Sequence, residues 1–144
     1  MSPEKLPHPC AHPGCRETVQ FGTRCQKHRR ERFRMELSRR VPNPFYKTAL
    51  WQRARISYLR MHPSCQAPGC NALARVVDHL VPLAAGGPPL DPENFAAMCD
   101  TCHNRKRSLE ANYPDFFIRL LDTFRDYESK DVLILAIFEQ TSRN

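Results

Sequence analysis

DHLVPLAAGGPPLDPENFAAMCDTCHNRKR, residues Asp78–Arg107, decides how this chain is read. It opens with an Asp-His pair and carries Asn94 in its middle. It closes with Cys99-x-x-Cys102-His103 and, after one Asn, the basic run Arg105-Lys106-Arg107. Val76, Val77 and Val81 surround Asp78-His79, so Ala72–Leu83 reads as a strand ended by Pro82. Ala84–Pro92, with Gly86-Gly87 and Pro88-Pro89, reads as a turn-rich loop. Asn94–Met98 is expected to form a short second strand, and a helix is expected from Asp100 through His103 to about Glu110. The order strand, loop, strand, helix is α+β. Asp78 and His79 are neighbours on a strand, so their side chains point to opposite sides of it.

The cysteines divide around this stretch. Cys65 and Cys70 are separated by four residues, Cys99 and Cys102 by two, and together they supply four thiolates to one tetrahedral zinc. Further upstream Cys10 and Cys15 repeat the wider spacing, and Cys25 and His28 repeat the narrower one. Both wide pairs enclose a Pro-Gly turn, CAHPGC and CQAPGC, which brings two thiolates to one face. His12 lies between the first two cysteines and is an alternative ligand to one of them. Thr18–Phe21 is expected to be a strand with the hairpin turn at Gly22. So small a segment buries little, and zinc would supply most of its folding energy. Seven cysteines is an odd number, which fits disulfides poorly. Cys99–His103 also has the form of a c-type haem attachment site. Without an export signal, and with Cys65 and Cys70 needing partners, that reading is set aside.

Between and beyond the ligand pairs the pattern is helical. Arg29–Arg40 is basic, with Phe33 and Leu37 four apart, and reads as a helix ended by Pro42 and Pro44. It either lies along phosphates or is a solvated linker. Pro44–Met61 places Leu50, Ala54, Tyr58 and Met61 at helical spacing, with Thr48 as N-cap and Trp51 as a core anchor rather than a base-stacking residue. Tyr113–Glu128 reads as an amphipathic helix with Pro114 in its first turn, and Asp131–Gln140 as helix in preference to buried strand. The expected organisation is an N-terminal zinc segment and basic linker over 1–40, a central domain over 41–112 and a helical extension over 113–144.

The formal net charge is +7, and residues 1–110 carry 18 Lys+Arg against 9 Asp+Glu, the remainder 4 against 6. A basic front suits a polyanionic partner. The N-terminus lacks an apolar signal-peptide core, and the longest apolar run, Val132–Phe138, is too short for a bilayer span. The expectation is a cytoplasmic protein, with no membrane partner and reduced cysteines.

Asp78-His79, Asn94 and His103, flanked by the Cys65/Cys70 and Cys99/Cys102 pairs, resemble the HNH endonuclease family with its ββα-metal fold. Phe45-Tyr46-Lys47, Trp51-Gln52-Arg53 and the ending Cys-His-Asn-Arg-Lys at 102–106 match the same pattern. The resemblance covers roughly 44–108 and is closest to small phage and bacterial members. It implies a zinc-stabilised ββα-metal core with flanking helices, to which Cys10, Cys15, Cys25 and His28 add an N-terminal zinc knuckle. It also implies Asp78 and His103 as ligands of a catalytic divalent ion, Mg²⁺ or Mn²⁺, and His79 as general base. Asn94 would fix the loop and so the direction of His79. Some members are encoded beside genome-packaging genes, which implies phage packaging proteins as partners and the host cytoplasm as location.

The chemistry is consistent without the name. Phosphodiester hydrolysis needs an activated water, a neutralised phosphate and a stabilised leaving oxygen. A neutral imidazole suits the first task and a divalent cation the other two. Arg105, Lys106 and Arg107 are candidate phosphate contacts. The expected function is metal-dependent cleavage of DNA, by nicking or double-strand cutting. The alternative is a zinc module that binds DNA and cuts nothing.

Overall fold

The computed structural model describes residues 6–39 and 42–142, so Arg40, the last residue of the expected basic helix, lies outside the described residues. In chain order the elements are β1 His8–Pro9, β2 Thr18–Val19, α1 Gln26–Ser38, α2 Ala49–Met61, β3 Val76–His79, β4 Phe95–Met98, α3 Asp100–Asn112, α4 Pro114–Thr123 and α5 Lys130–Phe138. The expected strand–loop–strand–helix order is present in β3, β4 and α3. Asn94 is not in the second strand; it closes the short 3₁₀ turn Pro92–Asn94.

The β3–β4 hairpin is antiparallel, with Asp78 opposite Ala96 and His79 opposite Phe95. Alternation sorts its side chains into two faces. Val77, His79, Phe95 and Ala97 share one face, where Trp51 and Tyr58 of α2 cover them. Ala96 and Met98 share the other, packed into a larger core with Leu109 of α3 and the apolar sides of α4 and α5. Thr48 caps α2 by accepting a hydrogen bond from the Trp51 backbone N–H at 3.3 Å.

At the two ends of the chain, one expectation is corrected and one is met. The first hairpin does not turn at Gly22. β2 pairs backward with β1, so the turn is the Cys10–Cys15 knuckle itself, and Gly22 lies beyond the pair. Asp131–Gln140, where helix competed with strand, contains helix α5, capped by the Ser129 hydroxyl accepting from Val132 N–H. The tail packs mainly on α1 and α3, and Lys130 also donates to the Tyr58 hydroxyl of α2 at 3.1 Å.

Helix α1 is more than a basic linker. Phe33 is 1 % exposed and joins the larger core with Leu109, Phe117 and Ile134. Arg29 is buried, and its guanidinium Nη2 donates to Asp122 Oδ2 on α4 at 2.7 Å. Arg30 pairs with Asp115 at the other end of α4. Asp122 and Asp115 of the tail thus meet Arg29 and Arg30 of α1, and both pairs lie where the two helices pack.

Phe33→Ala removes most of a buried ring from that shared core and is expected to cost about 3–5 kcal/mol. Thermal unfolding should show a fall in Tm of roughly 10 °C. An unchanged Tm would mean that α1 contributes nothing to the central core.

Candidate active site and metal centres

The ligand pairs come together as two sets. Cys10, Cys15, Cys25 and His28 form one, and Cys65, Cys70, Cys99 and Cys102 the other; within each set the donor atoms all lie within 4.8 Å of one another. Local structure explains how. Gly14 at φ 79° and Gly69 at φ 70° make the same left-handed turn, which lets Cys15 N–H reach His12 O and Cys70 N–H reach Ala67 O, each at 3.1 Å. The second pair of each set sits on a helix start, with Cys25 at the N-cap of α1 and Cys99 at that of α3. His12 stands outside this set; its ring stacks on His28 with centroids 3.7 Å apart.

Both donor sets fit zinc. Four atoms at Zn–S distances of about 2.3 Å stand about 3.8 Å apart. Cys70 and Cys99 Sγ are 3.9 Å apart, and Cys15 and Cys25 Sγ 4.0 Å. Without an ion the thiols of each set are shifted unequally: Cys15, Cys65 and Cys102 are pushed up, while one thiol in each set is drawn down. Burial pushes the Cys10 thiol up, but the backbone N–H groups of Cys25 and His12 outweigh it and bring it down to about 6. The Cys102 N–H at the start of α3 brings Cys99 down to about 7. All seven cysteines are free thiols.

The Asp-His pair lies at the end of β3. Asp78 faces α3, with Oδ1 3.8 Å from His103 Nε2. Two atoms that share an ion at about 2.1 Å each can be at most about 4.2 Å apart, so this pair can hold one divalent cation between them. His103 is only partly covered, which leaves room for further ligands. Asp78 Oδ2 lies 3.0 Å from the Lys106 ammonium, outside hydrogen-bond geometry.

His79 points the other way and is 1 % exposed. Trp51 stacks on its ring at 4.7 Å, and Phe95 meets it edge-on at 5.4 Å. Nε2 lies 2.9 Å from Pro89 O, and a carbonyl only accepts, so Nε2 carries the proton and Nδ1 the lone pair. Burial holds the imidazole below its usual pKa, against the opposing pull of the Pro89 carbonyl and the Asp78 charge. The Tyr46 hydroxyl sits 3.3 Å from Nδ1.

Asn94 secures the loop that carries Pro89. It is fully buried; its side-chain oxygen accepts from Val81 N–H at 2.7 Å, and its NH₂ donates to Val81 O at 3.0 Å and Pro88 O at 3.1 Å. The Pro88 carbonyl it holds is one residue from the carbonyl that orients His79. Gly87 is required beside it, because a Cβ there would come within 2.0 Å of Val81 O.

The basic run separates into three environments. Lys106 is fully buried, donating to His79 O at 2.8 Å and to Glu110, so it does not reach a phosphate, contrary to expectation. A buried ammonium needs carboxylate partners, and Asp78 and Glu110 provide them, holding its pKa above the ordinary lysine value although burial alone would lower it. Arg105 lies over the Phe138 ring of the tail at 5.3 Å, two helix positions away from His103. Arg107, one helical turn after His103, lines a groove of about 460 Å³ that Tyr46, Pro82, Glu110 and, across it, Arg32 and Arg39 of the N-terminal unit also line. Sequence reasoning missed Lys106 and Glu110 as a structural pair, for which the i, i+4 spacing was the available signal. It assigned no role to Tyr46, and Pro89 acts through a backbone carbonyl that no residue type announces.

Residues 64–109 match the family model described as HNH endonuclease. Among solved structures, the HNH endonuclease of the deep-sea thermophilic bacteriophage GVE2, crystallised with manganese ion, is similar at 24% identity over 61% of this chain and 96% of that one, with a TM-score of 0.43. No curated protein matches. No helix among the described residues is long and apolar enough to cross a membrane.

Asn94→Ala would leave three buried backbone groups without partners. The expected cost is about 2–4 kcal/mol of stability, read as a lower denaturation midpoint together with faster exchange of the Val81 amide. An unaltered midpoint and exchange rate would refute the clamp.

Proposed function

We propose, from the match of residues 64–109 to the HNH endonuclease family model, that this protein is a metal-dependent endonuclease that hydrolyses phosphodiester bonds in DNA. The observation that carries the reading is the end of β3. There a buried imidazole, fixed with its lone pair on Nδ1, adjoins a carboxylate paired across 3.8 Å with the imidazole of His103 on the next helix. His79 is the general base. Asp78 and His103 would hold Mg²⁺ or Mn²⁺, which when bound neutralises the phosphate and the leaving oxygen. Arg107 is the phosphate contact from the basic run, since it lines the groove beside the site. Asn94, through the loop it clamps, keeps His79 in its working tautomer.

The two sulfur-rich sets are assigned to structural zinc. Neither leaves a donor position for substrate, as expected of closed sites. The DNA assignment draws on the basic front of the chain, which places 18 Lys+Arg in residues 1–110. One such site cuts one strand at a time, so nicking is the expected elementary event.

Supercoiled plasmid incubated with the protein should be nicked when Mg²⁺ or Mn²⁺ is supplied and left intact after EDTA treatment. His79→Ala should lower the rate by at least roughly 100-fold while DNA binding persists. Cleavage indifferent to both EDTA and the substitution would remove the mechanism, and binding without any metal-dependent nicking by the native protein would make it a DNA-binding module. Metal analysis should find two tightly held zinc ions per chain, and Cys10→Ser should lose one of them; a native content of one would refute the N-terminal site.

A further inference from the structure

The base is walled in. Trp51 covers one face of the His79 ring, Phe95 meets it edge-on and Phe45 stands 6.2 Å away. Nε2 is engaged by Pro89 O. The lone pair on Nδ1 is met by the Tyr46 hydroxyl at 3.3 Å, and His79 itself is 1 % exposed. Tyr46, in contrast, is 36 % exposed and lines the groove that Arg107 enters. A water in that groove therefore reaches Tyr46 before it reaches the imidazole.

We propose that the Tyr46 hydroxyl is a catalytic relay that passes a proton from a groove water to Nδ1 of His79. This rests on the nuclease reading above and deepens it. As the water oxygen attacks phosphorus, one of its O–H bonds breaks and that proton goes to Tyr46 Oη. The original Oη–H bond breaks at the same time, and its proton goes to Nδ1. The phosphorus–oxygen bond to the leaving group breaks, and that oxygen takes a proton from solvent. Tyr46 ends with the hydroxyl it began with, and His79 returns its extra proton to solvent by the same route. No redox change is involved.

The surroundings favour a relay over a plug that must swing aside. The Tyr46 ring meets Trp51 edge-on at 5.6 Å and Phe45 at 5.8 Å, while Gln52 Nε2 holds only its backbone carbonyl, at 2.8 Å. Turning the phenol away would break these ring contacts and leave the buried Nδ1 without a partner. Burial, with the Asp78 and Glu110 charges, also disfavours a lasting phenolate, which suits a group that gives and takes a proton together.

The test uses the full-length protein with its zinc and a plasmid substrate, read as a single-turnover rate at saturating DNA. Tyr46→Phe keeps the ring and should lower that rate by roughly 100-fold or more, with DNA affinity and zinc content unchanged. A native-protein proton inventory in H₂O/D₂O mixtures should be bowl-shaped, as two protons in flight require. A Tyr46→Phe rate at or above native, or a linear inventory, would overturn the relay while His79→Ala inactivity left the nuclease reading standing. A native protein that cuts nothing would remove that reading and the relay together. The inventory needs no variant, so a Tyr46→Phe protein that failed to fold would not shield the proposal.

Discussion

A fully buried ammonium organises the centre of this molecule. Lys106 Nζ donates to the His79 carbonyl at 2.8 Å, stands 3.0 Å from Asp78 Oδ2, bonds Glu110 and lies over the Phe117 ring at 5.3 Å. An unpaired charge in such a place would cost several kcal/mol. The pairing therefore ties β3, α3 and α4 into one arrangement. It also divides the labour of Asp78. With Oδ2 against the ammonium, Oδ1 is the oxygen that faces His103. The same ammonium holds the backbone at His79, so Asp78 and His79, which face opposite ways, are both held by one cation.

The loop after β3 is fixed from the opposite side. Asn94 holds it from within, and the N-terminal unit braces it from outside. A Cβ on Gly86 would lie 3.1 Å from Leu121 and 3.5 Å from Arg29, and one on Gly22 would lie 2.9 Å from Leu121. Gly22, Gly86 and α4 thus meet almost backbone to side chain, with the Arg29–Asp122 ion pair beside them. The first candidate ligand set is placed to support the loop that orients His79 through this junction. Its sulfur donors organise the start of α1, α1 packs on the 3₁₀ turn Leu83–Ala85, and that turn leads into Pro88 and Pro89.

Much of this was legible in the sequence because ligand chemistry is local. Counting cysteines assigned Cys99 and Cys102 to the pair at Cys65 and Cys70, which leaves His103 free to face Asp78, as it does. Period-two alternation put Asp78 and His79 on opposite faces, and the structure covers those faces with different helices. The basic run was less legible. Three consecutive cations look alike in sequence, but on a helix they point roughly 100° apart. One is buried at the core, one lies against the tail and one faces the groove. The Gly22 turn was misplaced for a related reason. Glycine marks a bend, but the register of a two-residue pairing is set by the Cys10–Cys15 knuckle.

Separate faces raise a geometric question for a site of this kind, since a base on one side of a hairpin must act on a phosphate held from the other. The groove supplies the answer. It is lined by Tyr46, which contacts the base, and by Arg107 and Glu110 of the helix that carries His103. Pro82, three residues past the end of β3, lines it too, so the groove reaches close to the end of the strand. On the proposed reading, a short β3 that ends at His79, with Pro82 soon after it and Gly87 packed against Val81, would let a carboxylate and an imidazole from opposite faces address one phosphodiester.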